Sequence, residues 1–331
     1  MKMEFRTLID LPKAQLDITH SDKILLLGSC FAENIGKLLQ VYKFDCDVNP
    51  FGVLYNPKSV LEALKEIESG KVYKKEELYH HKDIYHSFMH HGSFSDASGE
   101  NVIENINQRL CNANKNFPHT SLLMITFGSA YVYSLKTDGR VVANCHKLPD
   151  SYFVRSLLTV DDIVSDYADF LKSLFITNPG LRVLMTVSPI RHLKDGLHNN
   201  QISKSVLLLS IDRLQQLFPD NVFYFPSYEI MLDDLRDYRF YANDMLHPSN
   251  VAIEYLWSRF TESYFSSSTL KILKEWEEIR KGLNHRPFRA DSEQHKSFLK
   301  QLVLKIERVK EKCPNLDVKN ELELCRTLLM R

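Results

Sequence analysis

Ile24-Leu25-Leu26-Leu27-Gly28-Ser29-Cys30-Phe31-Ala32-Glu33-Asn34 is the stretch whose reading decides the fold. Four aliphatic residues of strand length run into a glycine, a serine follows, and helical spacing begins within a few residues. Such a strand places Ser29 at the carboxyl edge of a parallel sheet, where ligands bind in open α/β folds. Gly28 allows a tight backbone there, and the first turn of the helix offers unpaired N–H groups and the positive end of its dipole to a developing anion. A serine at this place also reads simply as the N-cap of the helix.

Working outward, apolar runs of strand length alternate with segments of helical period, which predicts a parallel sheet covered by helices. The strands are expected at Lys23–Gly28, Phe44–Val48, Ser121–Phe127, Leu181–Val187 and Val222–Phe225. Helices are expected at Phe31–Val41, Pro57–Ser69, Glu100–Lys115, Val160–Thr177, Asn199–Phe218 and Ser249–Phe265. The fold class is α/β, a three-layer α/β/α sandwich. Two segments decorate its ligand-binding rim: the His- and Tyr-rich stretch Val72–Phe94, and Tyr131–Cys145, where Thr137-Asp138-Gly139 predicts a hairpin.

After Phe265 the strand-like runs end and Lys, Glu, Leu and Arg dominate. The chain therefore divides into a core of residues 1–265 and a helical C-terminal extension of residues 266–331. Asp291 followed by Gln294 reads as a helix N-terminal box, and Leu299, Leu302, Ile306 and Val309 repeat at three- and four-residue steps before Pro314. Leu322, Leu324, Leu328 and Leu329 extend this stripe. It must bury against the core or a second subunit, and a homodimer through these helices is the expectation.

With 331 residues the chain holds one large α/β domain or two smaller ones at roughly 150 residues per domain. Hydrophobic residues at 44% and charged residues at 25% support a packed core and exclude wholesale disorder. Lys+Arg and Asp+Glu number 42 each, so no global field gathers nucleic acid or an anionic membrane. Met1–Asp10 carries no apolar stretch of signal-peptide length, and no segment approaches the ~20 apolar residues of a bilayer span. Six cysteines spread singly, without CxxC spacing, read as reduced thiols of a cytoplasmic protein.

Just before the last core helix lies Asn243-Asp244-Met245-Leu246-His247-Pro248-Ser249. An aspartate three residues before a histidine on a short loop can accept the imidazole Nδ1–H while Nε2 faces the strand edge, which supplies two members of a hydrolase triad. The same spacing also fits a turn-capping aspartate beside a surface histidine. His80, His81, His86, His90 and His91 suggest metal ligands by type, but the Tyr, Phe and Ser between them fit a strand or loop better than one helical face. A substrate rim with His86 or His90 pointing into the cleft is preferred, and no metal is expected. Arg191 and His192 follow the strand Leu181–Val187 directly, so both sit at the same edge, where the arginine can bind an anionic group or form a structural salt bridge.

The run Gly28-Ser29-Cys30-Phe31-Ala32 resembles the signature of the GSCFA family, which is grouped with the SGNH (GDSL-like) hydrolases. Further ordered matches are Val48–Gly52, Ile125–Tyr133, Val142–Lys147, Thr186–His192 and Asp244–Ser249, so the resemblance spans about residues 20 to 262. It implies a flavodoxin-like sheet with Ser29 as nucleophile, His247 as general base and Asp244 as its orienter. Gly52 fills one oxyanion role of such enzymes. The third-strand block reads Gly128-Ser129-Ala130-Tyr131, with Ala130 where that superfamily has an asparagine, so the Ser129 hydroxyl or the Asn49 side chain must replace that donor.

The function expected is a serine esterase or acyltransferase acting on an ester, such as an O-acylated carbohydrate, with no cofactor and no nucleic-acid or membrane partner. Ser29 attacks, His247 moves the proton, and the Ser29 N–H, Gly52 N–H, Ser129 and Asn49 hold the oxyanion; His86, Arg191 and His192 contact substrate. The alternative is a weak or inactive binding protein that uses its helical tail as an interaction module.

Overall fold

The computed structural model describes residues 7–11, 16–289 and 291–330. Met1–Arg6 and Pro12, part of the stretch read for an export signal, lie outside the described residues. Among the described residues ten strands follow in chain order: β1 (Lys23–Gly28), β2 (Asp45–Val48), β3 (Tyr79–His81), β4 (Ile84–His86) and β5 (Leu122–Phe127), then β6 (Tyr131–Leu135), β7 (Val141–Val142), β8 (Phe153–Leu157), β9 (Arg182–Val187) and β10 (Val222–Phe225). Five of them form one parallel sheet in the order β10-β9-β5-β1-β2. The order reverses at β1, which opens a crevice at the carboxyl edge beside its end.

A parallel sheet with both faces covered requires nearly continuous apolar strands, and β1 and β5 satisfy this. Leu25 and Leu27 point into one core with Leu123, Ile125 and Phe127, whereas Ile24 and Leu26 point into the other with Leu122 and Met124. The helices are α1 (Cys30–Val41), α2 (Pro57–Ser69), α3 (Gly99–Asn116), α4 (Val160–Thr177) and α5 (Gly196–Leu217), then α6 (Ser227–Leu232), α7 (Asn250–Tyr264), α8 (Ser267–Leu283), α9 (Glu293–Lys312) and α10 (Lys319–Leu329). Helices α2, α3, α4 and α5 cover the first face; α1 and α7 cover the second. The expected core strands and helices are all present within a few residues, and β8 and the six-residue α6 are additions to them.

The hairpin read around Thr137–Gly139 is the antiparallel pair β6–β7, with β8 paired to the other side of β6. In the histidine-rich stretch β3 and β4 form a hairpin whose Lys82 and Asp83 take left-handed φ of 50° and 60°, flanked by single 3-10 turns at Lys75–Glu77 and Gly92–Phe94.

The C-terminal helices bury Leu299, Leu302, Ile306 and Val309 within the chain, but the expected extension of the stripe differs: on α10 it is Cys325 that turns inward, Leu322, Leu328 and Leu329 are half-buried, and Leu324, one helical step from Cys325, is 45% exposed. Trp276 and Ile279 from α8, Leu302, Ile306 and Val309 from α9, and Cys325 from α10 form one cluster. It docks where α1 ends: Trp276 Nε1 donates to the Val41 carbonyl at 2.9 Å, Tyr42 donates to Glu277 at 3.2 Å, and Lys43 pairs with Glu321 at 2.6 Å. Burying each such aliphatic side chain is worth ~1.5–3 kcal/mol, and α8, α9 and α10 gain much of it from one another and from Tyr42 at the end of α1. The cap of α9 lies one residue later than expected, because Ser292, not Asp291, accepts the His295 N–H, at 3.2 Å. Among the described residues no helix is long and apolar enough to cross a membrane.

Candidate functional site

The turn after β1 is stiff because its backbone is tied to the strands and loops on either side. Gly28 takes φ +140°, and a Cβ there would lie 2.1 Å from the Thr126 carbonyl oxygen, so only glycine lets β1 run this close to β5. Its N–H donates to Asn49 Oδ1 at 2.9 Å, and its carbonyl accepts from Leu54 at 2.9 Å. Ser29 follows as the N-cap of α1. Its hydroxyl accepts the Phe31 N–H at 3.3 Å, its own N–H donates to Thr126 O at 3.2 Å, and its exposure is 1%. Of the two readings of Ser29, the capping role is the one its hydrogen bonds display. The next residue, Cys30, is a free thiol that lines the cleft.

The Asp244–His247 loop is built the opposite way, in the open. Asp244 Oδ2 lies 2.5 Å from His247 Nδ1, while Oδ1 accepts the N–H groups of Leu246 at 2.9 Å and His247 at 3.0 Å. Those backbone donors, aided by the imidazole, hold the Asp244 carboxyl down at about 2, so it is an ionised acceptor and Nδ1 must carry the hydrogen. The two side chains remain 44% and 50% exposed. Met245 takes a left-handed φ of 58°, and Arg191 steadies this bend by donating to the Met245 carbonyl while stacking over Tyr241, 4.3 Å from the ring centre.

Turn and loop meet at a cleft of about 520 Å3 on the carboxyl edge of the sheet, with Cys30, Tyr55, Ser129, Arg191, His192 and His247 in its wall. Burial, with Lys204 and His247 nearby, pushes the His192 imidazole down to about 4, so it stays neutral near pH 7. Beneath the cleft Lys204 of α5 is 1% exposed and donates to the Gly128 and Ser188 carbonyls, both at 2.7 Å, tying the ends of β5 and β9 together. Burial lowers its ammonium to about 7.

Several expected site residues stand elsewhere. The Ser29 and Gly52 N–H groups do not form a free donor pair: the first is bound to Thr126 O and the second to Asn49 O at 2.8 Å, because the β1 turn packs on β5 and Asn49–Gly52 closes its own turn. Ser129 does reach the cleft, with its hydroxyl 3.3 Å from Ser203 and accepting the Tyr131 N–H. Asn49 is buried beside the turn; its Oδ1 holds Gly28, and its Nδ2 has no hydrogen-bond partner among the described residues. His86 is outside the cleft wall, since it binds Ser95 at 2.7 Å and packs on Tyr79 and His146. His90 is buried, stacked on Phe51 with ring centres 4.6 Å apart, and burial drops it to about 3. The member of that stretch in the cleft is His91, whose Cβ lies where a side chain on Gly52 would go. Among the described residues no three His, Cys, Asp or Glu side chains converge as metal ligands would.

Two residues that matter here were missed in the sequence. Lys204 has a visible signal, for it falls in step with Leu207, Ile211 and Leu214 on the buried stripe of α5, where a lysine must serve a buried acceptor. Cys30 had only its place one residue past the cap.

The sequence model of the GSCFA family matches residues 23–260, and that of the GSCFA domain protein, C-terminal domain, matches residues 276–331. No curated protein matches this chain.

Proposed function

Because the chain belongs to the GSCFA family, and because its cleft sets an aspartate-oriented imidazole at the carboxyl edge of a parallel sheet, we propose that it is an esterase or acyltransferase of the flavodoxin-like SGNH hydrolase type. The observation that carries this reading is the Asp244–His247 pair, with Nδ1 engaged at 2.5 Å and Nε2 left for proton transfer. His247 takes a proton from a nucleophile presented by the turn after Gly28 and returns it to the leaving alcohol. Tyr55, Tyr131 and Tyr133 wall the cleft with flat amphipathic rings, which suits an O-acylated carbohydrate. Six free thiols support action in a reducing compartment such as the cytoplasm.

Short acyl p-nitrophenyl esters and an O-acetylated monosaccharide, offered to the wild type and to Asp244→Asn and His247→Ala, test the proposal. Loss of a positioned base costs about 10²–10⁴ in rate, so both variants should fall by at least 10² while unfolding at the wild-type urea midpoint. Equal rates in wild type and His247→Ala would sink the reading. A binding protein without catalysis is favoured by one observation, the buried Ala130 in the third-strand block, whose N–H is already taken by Ser203 Oγ at 2.8 Å.

A further inference from the structure

We propose that the nucleophile of this cleft is the Cys30 thiol and that the covalent intermediate is a thioester, with Ser29 serving as the helix cap beside it. This rests on the acyl-transfer reading above. Three independent features carry it. First, Ser29 is sealed at 1% exposure, with its hydroxyl on the Phe31 N–H and its amide on Thr126 O, so attack through it would require breaking the cap. Cys30 is one residue on, at the first helical position, and its side chain takes no part in the cap. Cys30 and His247 both line the cleft, whereas Ser29 is absent from its wall.

Second, the surroundings of the sulfur suit a group that becomes an anion and then a thioester. Burial and, to a smaller degree, the Glu33 carboxylate raise the Cys30 thiol, while its own N–H, the Phe31 N–H and the Lys204 ammonium act in the opposite sense. The sulfur therefore rests as a thiol that needs a base. The Cys30 N–H, in the first helical turn, is a donor that an α-helix leaves without an intrahelical acceptor, whereas the Phe31 N–H is held by the Ser29 hydroxyl. Third, Asn49 is nine-tenths buried and fixed to Gly28 through Oδ1, which leaves its partner-free Nδ2 beside this turn as a further donor for an oxyanion.

In the forward step His247 Nε2 takes the Sγ proton as Sγ bonds to the ester carbonyl carbon. The C–O bond then breaks, and the leaving alkoxide receives that proton from His247. Water attacks the thioester carbon, giving a proton to His247; the C–S bond breaks and the thiolate is reprotonated. The sum is ester plus water to acid plus alcohol, and a sugar hydroxyl in place of water gives acyl transfer.

The test begins without substrate. Full-length wild type, His247→Ala and Ser29→Ala are alkylated with iodoacetamide at pH 7, and the rate at each cysteine is read by peptide mass spectrometry, with exposed Cys111 as internal control. Cys30 should react at least about tenfold faster in wild type than in His247→Ala, with Cys111 unchanged, because a neighbouring base raises the thiolate share. Ester turnover by Cys30→Ala, Cys30→Ser and Ser29→Ala is the second readout. Turnover should fall at least about 10²-fold in Cys30→Ala, be partly kept by Cys30→Ser, and persist in Ser29→Ala after correction for folded fraction. Loss in Ser29→Ala with retention in Cys30→Ala overturns the thiol and leaves the acyl-transfer reading standing. Equal turnover in wild type and His247→Ala overturns both. Cys30 alkylation that ignores His247 overturns the proposed pair.

Discussion

The two halves of the cleft are held by opposite means. The turn Gly28-Ser29-Cys30 is locked into the sheet, with glycine forced by the Thr126 carbonyl and Ser29 consumed as a cap, whereas the Asp244–His247 loop stands half in water and holds its shape through its own carboxylate, two backbone donors and Arg191. The contrast is chemical as well as mechanical. On the proposed reading, the nucleophile gains from a fixed direction and fixed dipoles, while the base that exchanges protons with solvent gains from exposure.

The largest expected effect breaks the rigid half. Gly28→Ala puts a Cβ 2.1 Å from backbone oxygen at φ +140°, so chemical denaturation should show a loss of about 4 kcal/mol or no folded protein. A loss under about 1 kcal/mol would mean that the turn yields as readily as the open loop. Acid should produce a smaller loss, again from the buried side. His90, His146 and His192 are pushed from 6.5 to about 3, 4 and 4, mainly by burial. Unfolding frees them to take protons below about 6.5, so the unfolded state binds more protons than the folded one and stability falls as pH drops from about 6.5 towards 4. A urea midpoint that stays level across that window would show these rings to be reachable by solvent. The smallest effect sharpens the comparison at one atom: Ser29→Ala should cost about 1 kcal/mol, the worth of an N-cap, read as a shift in urea midpoint.

The core was legible because parallel strands buried on both faces must be apolar almost throughout, and the apolar runs Ile24–Leu27 of β1 and Leu122–Ile125 of β5 leave little alternative. The Asp244–His247 pair was equally plain, since three-residue spacing on a turn lets a carboxylate reach an imidazole without help from distant chain. Donor assignment was less legible. Whether the Ser29 and Gly52 amides are free depends on how closely β1 approaches β5 and how the Asn49–Gly52 turn closes, and neither distance is encoded in local spacing. His86 misled for the same reason: its hairpin turns it towards Tyr79 and His146, contacts set by strand register.

The dock between α1 and the C-terminal helices also has a bearing on the order in which the chain matures. One end of α1 carries the Ser29–Cys30 turn, and at the other the Val41 carbonyl, among the last a helix leaves unpaired, is satisfied by Trp276 Nε1. During synthesis β1 and α1 emerge long before residue 276, so a nascent chain holds the Ser29–Cys30 turn at one end of a helix whose far end is still open. Its closing contact arrives only once residue 276 has been made, so a ribosome stalled just before that point would present a sheet whose cleft residues, Cys30 to His247, are all synthesised beside an unfinished helix end.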